Sequence, residues 1–168
     1  ETQAVDVGGI ESGWRSETLR IDTVDPTDSS VLTTPANAAG WHLAATSFVV
    51  SAVDITSGVD HVEWILDGGA VQSGPNGSNV AISANGVHLL RTRAVDVAGN
   101  VSDWTDHTIR IDAVLPTDTT NLPTGWRTTP VDVTVKGVDA HSGVDEVEWV
   151  VDGGAPDSDS PEGAFTIA

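Results

Sequence analysis

The chain has 168 residues, no cysteine, and 25 acidic residues against 7 basic ones, for a formal net charge of −18. That charge excludes nucleic-acid binding, which needs clusters of Lys and Arg against phosphates. The missing thiols exclude a disulfide framework and a thiolate metal site. No apolar run approaches the roughly 18 residues of a membrane-crossing helix, and no charged stretch leads into an apolar one as in a signal peptide.

Along the chain the periodicity is that of strands. A first strand is expected after Pro26, a second near 46–53, a third near 61–66, short ones near 70–72 and 79–83, and two more at 87–95 and 107–111. Thr46, Phe48 and Val50 share one face of the second strand, Val62, Trp64 and Leu66 one face of the third, and Leu90, Thr92 and Ala94 one face of the sixth. Period two with β-branched and aromatic residues predicts antiparallel strands with one wet face. Asp67-Gly68-Gly69 predicts a hairpin, and Asn76-Gly77 and Asn85-Gly86 predict further turns.

The chain also repeats itself. Ala94-Val95-Asp96-Val97-Ala98-Gly99-Asn100 echoes Ala4-Val5-Asp6-Val7-Gly8-Gly9-Ile10, Ile109-Arg110-Ile111-Asp112 echoes Leu19-Arg20-Ile21-Asp22, and Pro116-Thr117-Asp118 echoes Pro26-Thr27-Asp28, all 90 residues apart. Ser57-Gly58-Val59-Asp60, Glu63-Trp64 and Asp67-Gly68-Gly69 recur 85 residues on, from Ser142 to Gly154. A copied module of domain size indicates an array rather than an enzyme with one active site. The register implies residues 1–22 as the last two strands of one module, 23–112 as a complete module, and 113–168 as the first five strands of another.

Asp54-Ile55-Thr56-Ser57-Gly58-Val59, Val62-Glu63-Trp64 with Asp67-Gly68-Gly69, the stretch from Gly86 to Ser102, and Ile111-Asp112 before Pro116 together resemble bacterial Ig-like repeats of large secreted and surface-anchored proteins. The resemblance implies an Ig-like or fibronectin-III-like antiparallel β-sandwich in tandem. It further implies a non-catalytic spacer or adhesion role outside the cell or at its surface, with neighbouring modules and a host or surface ligand as partners. The first copy departs from the pattern, having Gly8-Gly9-Ile10 where Ala-Gly-Asn is expected. Two other readings stay open: a carbohydrate-binding accessory module of a secreted enzyme, and a filament or virion subunit in which residues 1–22 of one chain complete the half-module of the next by strand addition.

The candidate chemistry is acidic. In such a sandwich the second-to-third and sixth-to-seventh strand loops share one end, so linker residues Asp22, Asp25 and Asp28 are expected near Asp54 and Asp60 of one loop and Asp96 and Asn100 of the other. Ca²⁺ takes six to eight oxygen ligands of this kind, and is the one candidate cofactor. Asp and Asn in such loops also form Asx-turns with their own backbone, which would recur equally well. Trp64 and Trp149 are expected in the core, and Trp41 and Trp104 as lids over sandwich ends or, alternatively, as ligand platforms. The histidines lack paired metal-ligand spacing, with His88 expected in a hydrogen-bonded structural place. Nothing resembles a nucleophile elbow or a phosphate loop. The only lysine, Lys136, lies outside the middle module, which excludes a Lys–Asn isopeptide staple there.

Overall fold

The computed structural model describes residues 1–167 and is all-β. From residue 27 to 111 the strands are β1 (Thr27–Asp28), β2 (Val31–Leu32), β3 (Thr46–Val50), β4 (Ala52–Val53), β5 (Val59–Leu66), β6 (Gln72–Gly74), β7 (Ser78–Ile82), β8 (Gly86–Asp96) and β9 (Thr105–Ile111). Two antiparallel sheets carry the centre, one in the order β2-β3-β7 and the other in the order β6-β5-β8-β9. Phe48, Val50, Val80 and Ile82 of the first and Val62, Leu90, Ala94, Ile109 and Ile111 of the second form a single buried apolar cluster. Successive side chains of a strand point to opposite faces, and β8 follows this along its length. His88, Leu90, Thr92, Ala94 and Asp96 are buried, whereas the residues between them reach the surface.

The expected inward faces are the observed ones for Thr46, Phe48 and Val50 and for Leu90, Thr92 and Ala94. Trp64 is half-buried and packs against the cluster's edge. Two strands differ from expectation. The first is divided, β1 pairing with β4 and β2 with β3, and the second breaks at Ser51. There the Ser30 hydroxyl donates to the Ser51 carbonyl at 3.1 Å and accepts from the Ser51 amide at 3.0 Å. A side chain thus takes the rung that backbone would fill, and the chain changes neighbours.

Beyond the centre lie β10 (Thr117–Asp118), β11 (Val131–Val138), β12 (Val147–Trp149), β13 (Asp157–Asp159) and β14 (Glu162–Ile167). Their pairings match earlier ones rung for rung. Thr117 faces Val138 as Thr27 faces Val53, Val131 faces Ile167 as Thr46 faces Ile82, and Val147 faces Asp159 as Val62 faces Gly74. At the other end the bridges Thr2–Arg15 and Val5–Glu11 match Thr92–Thr105 and Val95–Val101. Among the described residues no helix is long and apolar enough to cross a membrane.

Candidate functional site

Three short segments meet at one end of β8. Asp54 follows β4 in a tight loop, where its Oδ1 accepts the amides of Thr56, Ser57 and Gly58 at 3.1, 2.8 and 2.8 Å. Gly58 closes that loop at φ 83°, a conformation costly for any residue with a Cβ. Asp96 ends β8, where its Oδ1 accepts Gly99 N at 2.7 Å and Asn100 N at 2.8 Å. Asp22 arrives from the preceding segment and bonds in two directions. Its Oδ1 accepts Val24 N at 3.0 Å and its Oδ2 accepts Ser57 N, across the junction, at 2.9 Å.

Oxygens of Asp22, Asp54 and Asp96 lie within 4.8 Å of one another, and Asp96 is only 2 % exposed. The Val24 amide first, then Ser57, holds the Asp22 carboxyl below its ordinary value against burial and the negative charge of Asp96. Burial pushes Asp96 up, but the donors from Asn100, Gly99 and Ser57 together bring it below the usual carboxylate range. Both are therefore anions at neutral pH, stabilised by N–H donors rather than by a cationic side chain. A carboxylate has about four acceptor sites, so lone pairs remain, most openly on Asp54 Oδ2, and the three acids could hold a weak divalent cation.

The other expected ligands are placed differently. Asn100 enters the group as a donor, its Nδ2 bonding Asp96 Oδ2 at 2.7 Å and reaching the carbonyls of Asp22 and Val24 at 3.3 and 3.4 Å. Three acceptors around the amide nitrogen turn its oxygen away from the acids. Asp28 sits instead beneath β8, accepting from Thr92 Oγ1 at 2.6 Å and from Ser30 N at 2.9 Å. Asp60 pairs with its neighbour His61 at 2.8 Å, and Asp25 is exposed outside the group.

The junction recurs. Asp112 Oδ1 accepts Val114 N at 3.0 Å and its Oδ2 accepts Ser142 N at 2.9 Å, matching Asp22 with Val24 and Ser57. Asp139 Oδ1 accepts His141 N and Gly143 N, as Asp54 accepts in its own loop. The Ser142 contacts first, then the Val114 amide, bring Asp112 to a pKa of about 2. Asp112, Asp139 and Ser142 are repeat counterparts of Asp22, Asp54 and Ser57 at offsets of 90 and 85 residues, but they are not among the ligands expected from sequence.

Two other features bear on chemistry. Thr92 Oγ1 donates to Asp28 and lies 2.9 Å from His107 Nε2, which makes that nitrogen the donor in the second bond because a hydroxyl has one proton. This hydroxyl, imidazole and carboxylate would suit a nucleophile, but Thr92 is fully buried and no substrate reaches it. Trp104 is half-buried beneath the guanidinium groups of Arg93 and Arg91, 4.5 and 5.5 Å from its ring. Trp41 lines an open cavity of about 420 Å³ with Thr34, Pro35, Asn37 and Leu43, while Trp14 and Trp126 are exposed. No protein-family model and no curated protein matches the chain.

Proposed function

We propose that this chain is a stretch of non-catalytic Ig-like β-sandwich modules in tandem, acting as a spacer or stalk of an adhesion-type protein outside the cell. The observation that supports this most is the recurring clip, Asp22 to Ser57 and Asp112 to Ser142. In each case a carboxylate on the incoming segment bonds the same loop amide, so the angle between neighbouring modules would be set by a charge-assisted hydrogen bond rather than left to a free linker. A stalk needs that property and an isolated binding module does not. Ca²⁺ fits this reading as a reinforcement held by Asp22, Asp54 and Asp96, where it would neutralise converging negative charge.

The test uses the absence of native cysteine. Spin labels at Ala81→Cys and Thr134→Cys, both on exposed outward positions either side of the second clip, should give a narrow distance distribution in pulsed EPR. Asp112→Ala should broaden it without lowering the strand content seen by circular dichroism. A distribution already broad with Asp112 in place would sink the stalk reading.

A further inference from the structure

The loop between β2 and β3 is longer than the repeat requires. Asp28 lies 13 residues before Trp41, but its counterpart Asp118 lies only 8 before Trp126. The complete module therefore carries five residues there that the following module does without. In repeat arrays such insertions map to loops on one face, often the face that binds.

The extra length is folded rather than slack. Asn37 Oδ1 accepts the amides of Ala39 and Trp41 at 3.0 and 2.9 Å. Asn37 N donates to Trp41 O and Gly40 N to Asn37 O, both at 2.9 Å. Gly40 closes the turn at φ 84°. His42 then pins the loop to the edge of β9, its amide donating to Arg110 O and its carbonyl accepting Asp112 N, both at 2.8 Å. A loop ordered in this way has little freedom left to lose when a ligand arrives.

Three side chains of this place point to one class of ligand. Trp41, half-buried, offers an aromatic ring to the open cavity of about 420 Å³, a volume within the range of small-molecule sites. Asn37 is bonded through its side-chain oxygen, which leaves the Nδ2 protons to donate. Arg110 supplies a charge. Of the three arginines in the complete module, Arg91 pairs with Asp106 and Arg93 with Glu63, whereas exposed Arg110 has no acidic partner among the described residues. Its guanidinium borders the turn, 3.9 Å from where a Cβ on Gly40 would sit. No acidic residue occurs between Asp28 and Asp54, so the loop brings no carboxylate of its own to that cation.

We propose that the loop of residues 33–45, with Arg110, binds a uronate residue of an acidic polysaccharide. The C–H face of the pyranose ring stacks on Trp41, a ring hydroxyl accepts from Asn37 Nδ2, and the carboxylate takes the forked guanidinium of Arg110. A neutral sugar would leave the Arg110 charge unanswered, and a simple carboxylic acid would leave Trp41 bare; a uronate answers both. The site lies beside β9 and gives the module a ligand of its own, beyond any role in holding spacing.

NMR titration of the 168-residue chain with the trisaccharides of glucuronate, galacturonate and mannuronate tests the proposal. The signal to follow is the indole N–H of Trp41, assigned through Trp41→Phe. At least one trisaccharide should shift it saturably, and the methyl ester of that trisaccharide should bind about tenfold more weakly, as loss of a charge-assisted hydrogen bond requires. Arg110→Gln, at an exposed position, should weaken the acid by a similar factor while leaving the ester and the melting curve unchanged. No saturable shift with any of the three overturns the proposal. Equal affinity for acid and ester also overturns it, as does binding that Arg110→Gln leaves intact.

Discussion

His88 is a buried imidazole facing one carboxylate. Its Nδ1 lies 2.7 Å from Asp67 Oδ2 and its Nε2 2.9 Å from the carbonyl of Ala84. Both neighbours are acceptors, and only the doubly protonated ring offers two donors. The Asp67 hydrogen bond first, with the Ala84 carbonyl supporting it, raises the His88 pKa above its ordinary value although burial opposes this. The same contact lowers Asp67. A raised folded-state pKa stabilises fully below the unfolded value, near 6.5, and that stability is lost as pH rises through the folded one. A lowered Asp67 works oppositely, its contribution being lost as pH falls below the ordinary carboxylate value. Denaturant midpoints should therefore be highest between these two limits and decline on the alkaline side. Burial lowers the His107 pKa and so contributes with the opposite sign over the same range; the check is therefore the difference between wild type and His88→Gln, and identical pH dependence of the two would refute the assignment. The place of His88 as a hydrogen-bonded structural residue is legible in the sequence from its alternation with Leu90. Its pairing with Asp67 is not, because Asp67 and Ala84 approach the ring only once the hairpin, with Asp67 at φ 51°, has folded Asp67 back over β8.

At the scale of the strand, alternation makes adjacent residues behave as different materials. Leu90 is 0 % exposed in the middle of the shared cluster, while Leu89 beside it points outward. Leu90→Ala should cost about 2–5 kcal/mol, the range for a buried leucine whose cavity cannot collapse. Leu89→Ala should stay within about 0.5 kcal/mol. Urea unfolding of the two variants checks this, and equal losses would mean the register of β8 is wrong. This contrast is readable in advance, since period two in 87–95 fixes which residues face inward. The break of the second strand is not, because it depends on Ser30, 21 residues away from Ser51 in the chain, contributing a hydroxyl where the ladder expects backbone. The outer stack of Arg91 and Arg93 on Trp104 escapes the sequence for a similar reason: Trp104 lies past the turn, and only the pairing of β8 with β9 brings it across.

For the molecule as a whole, the question is what the converging acids need in order to fold. Each carboxylate of the Asp22, Asp54 and Asp96 group already accepts backbone amides, so the junction closes without a metal. EDTA should leave the melting temperature unmoved. Extracellular calcium sites are weak, with Kd of roughly 10⁻³ M at the loose end, and tenfold excess over such a value stabilises by about 1.4 kcal/mol. A rise of that size on adding Ca²⁺ would mark reinforcement of a closed junction. A melting temperature that falls in EDTA would instead make the metal part of the fold. The gathering of Asp22, Asp54 and Asp96 could be anticipated from loop order, whereas the diversion of Asp28 and Asp60 could not. Asp28 is drawn under β8 by Thr92, and Asp60 is satisfied by the histidine next to it.

The two clips lie at opposite ends of the same strand. β8 ends at Asp96, beside Asp22, and begins at Gly86, which faces Ile111 just before Asp112. A pull transmitted from one neighbour to the other would therefore run lengthwise along β8. The rungs to β5 and β9 would then be loaded in shear and resist together, instead of being peeled apart one after another, so a junction proposed to hold spacing would also resist stretching.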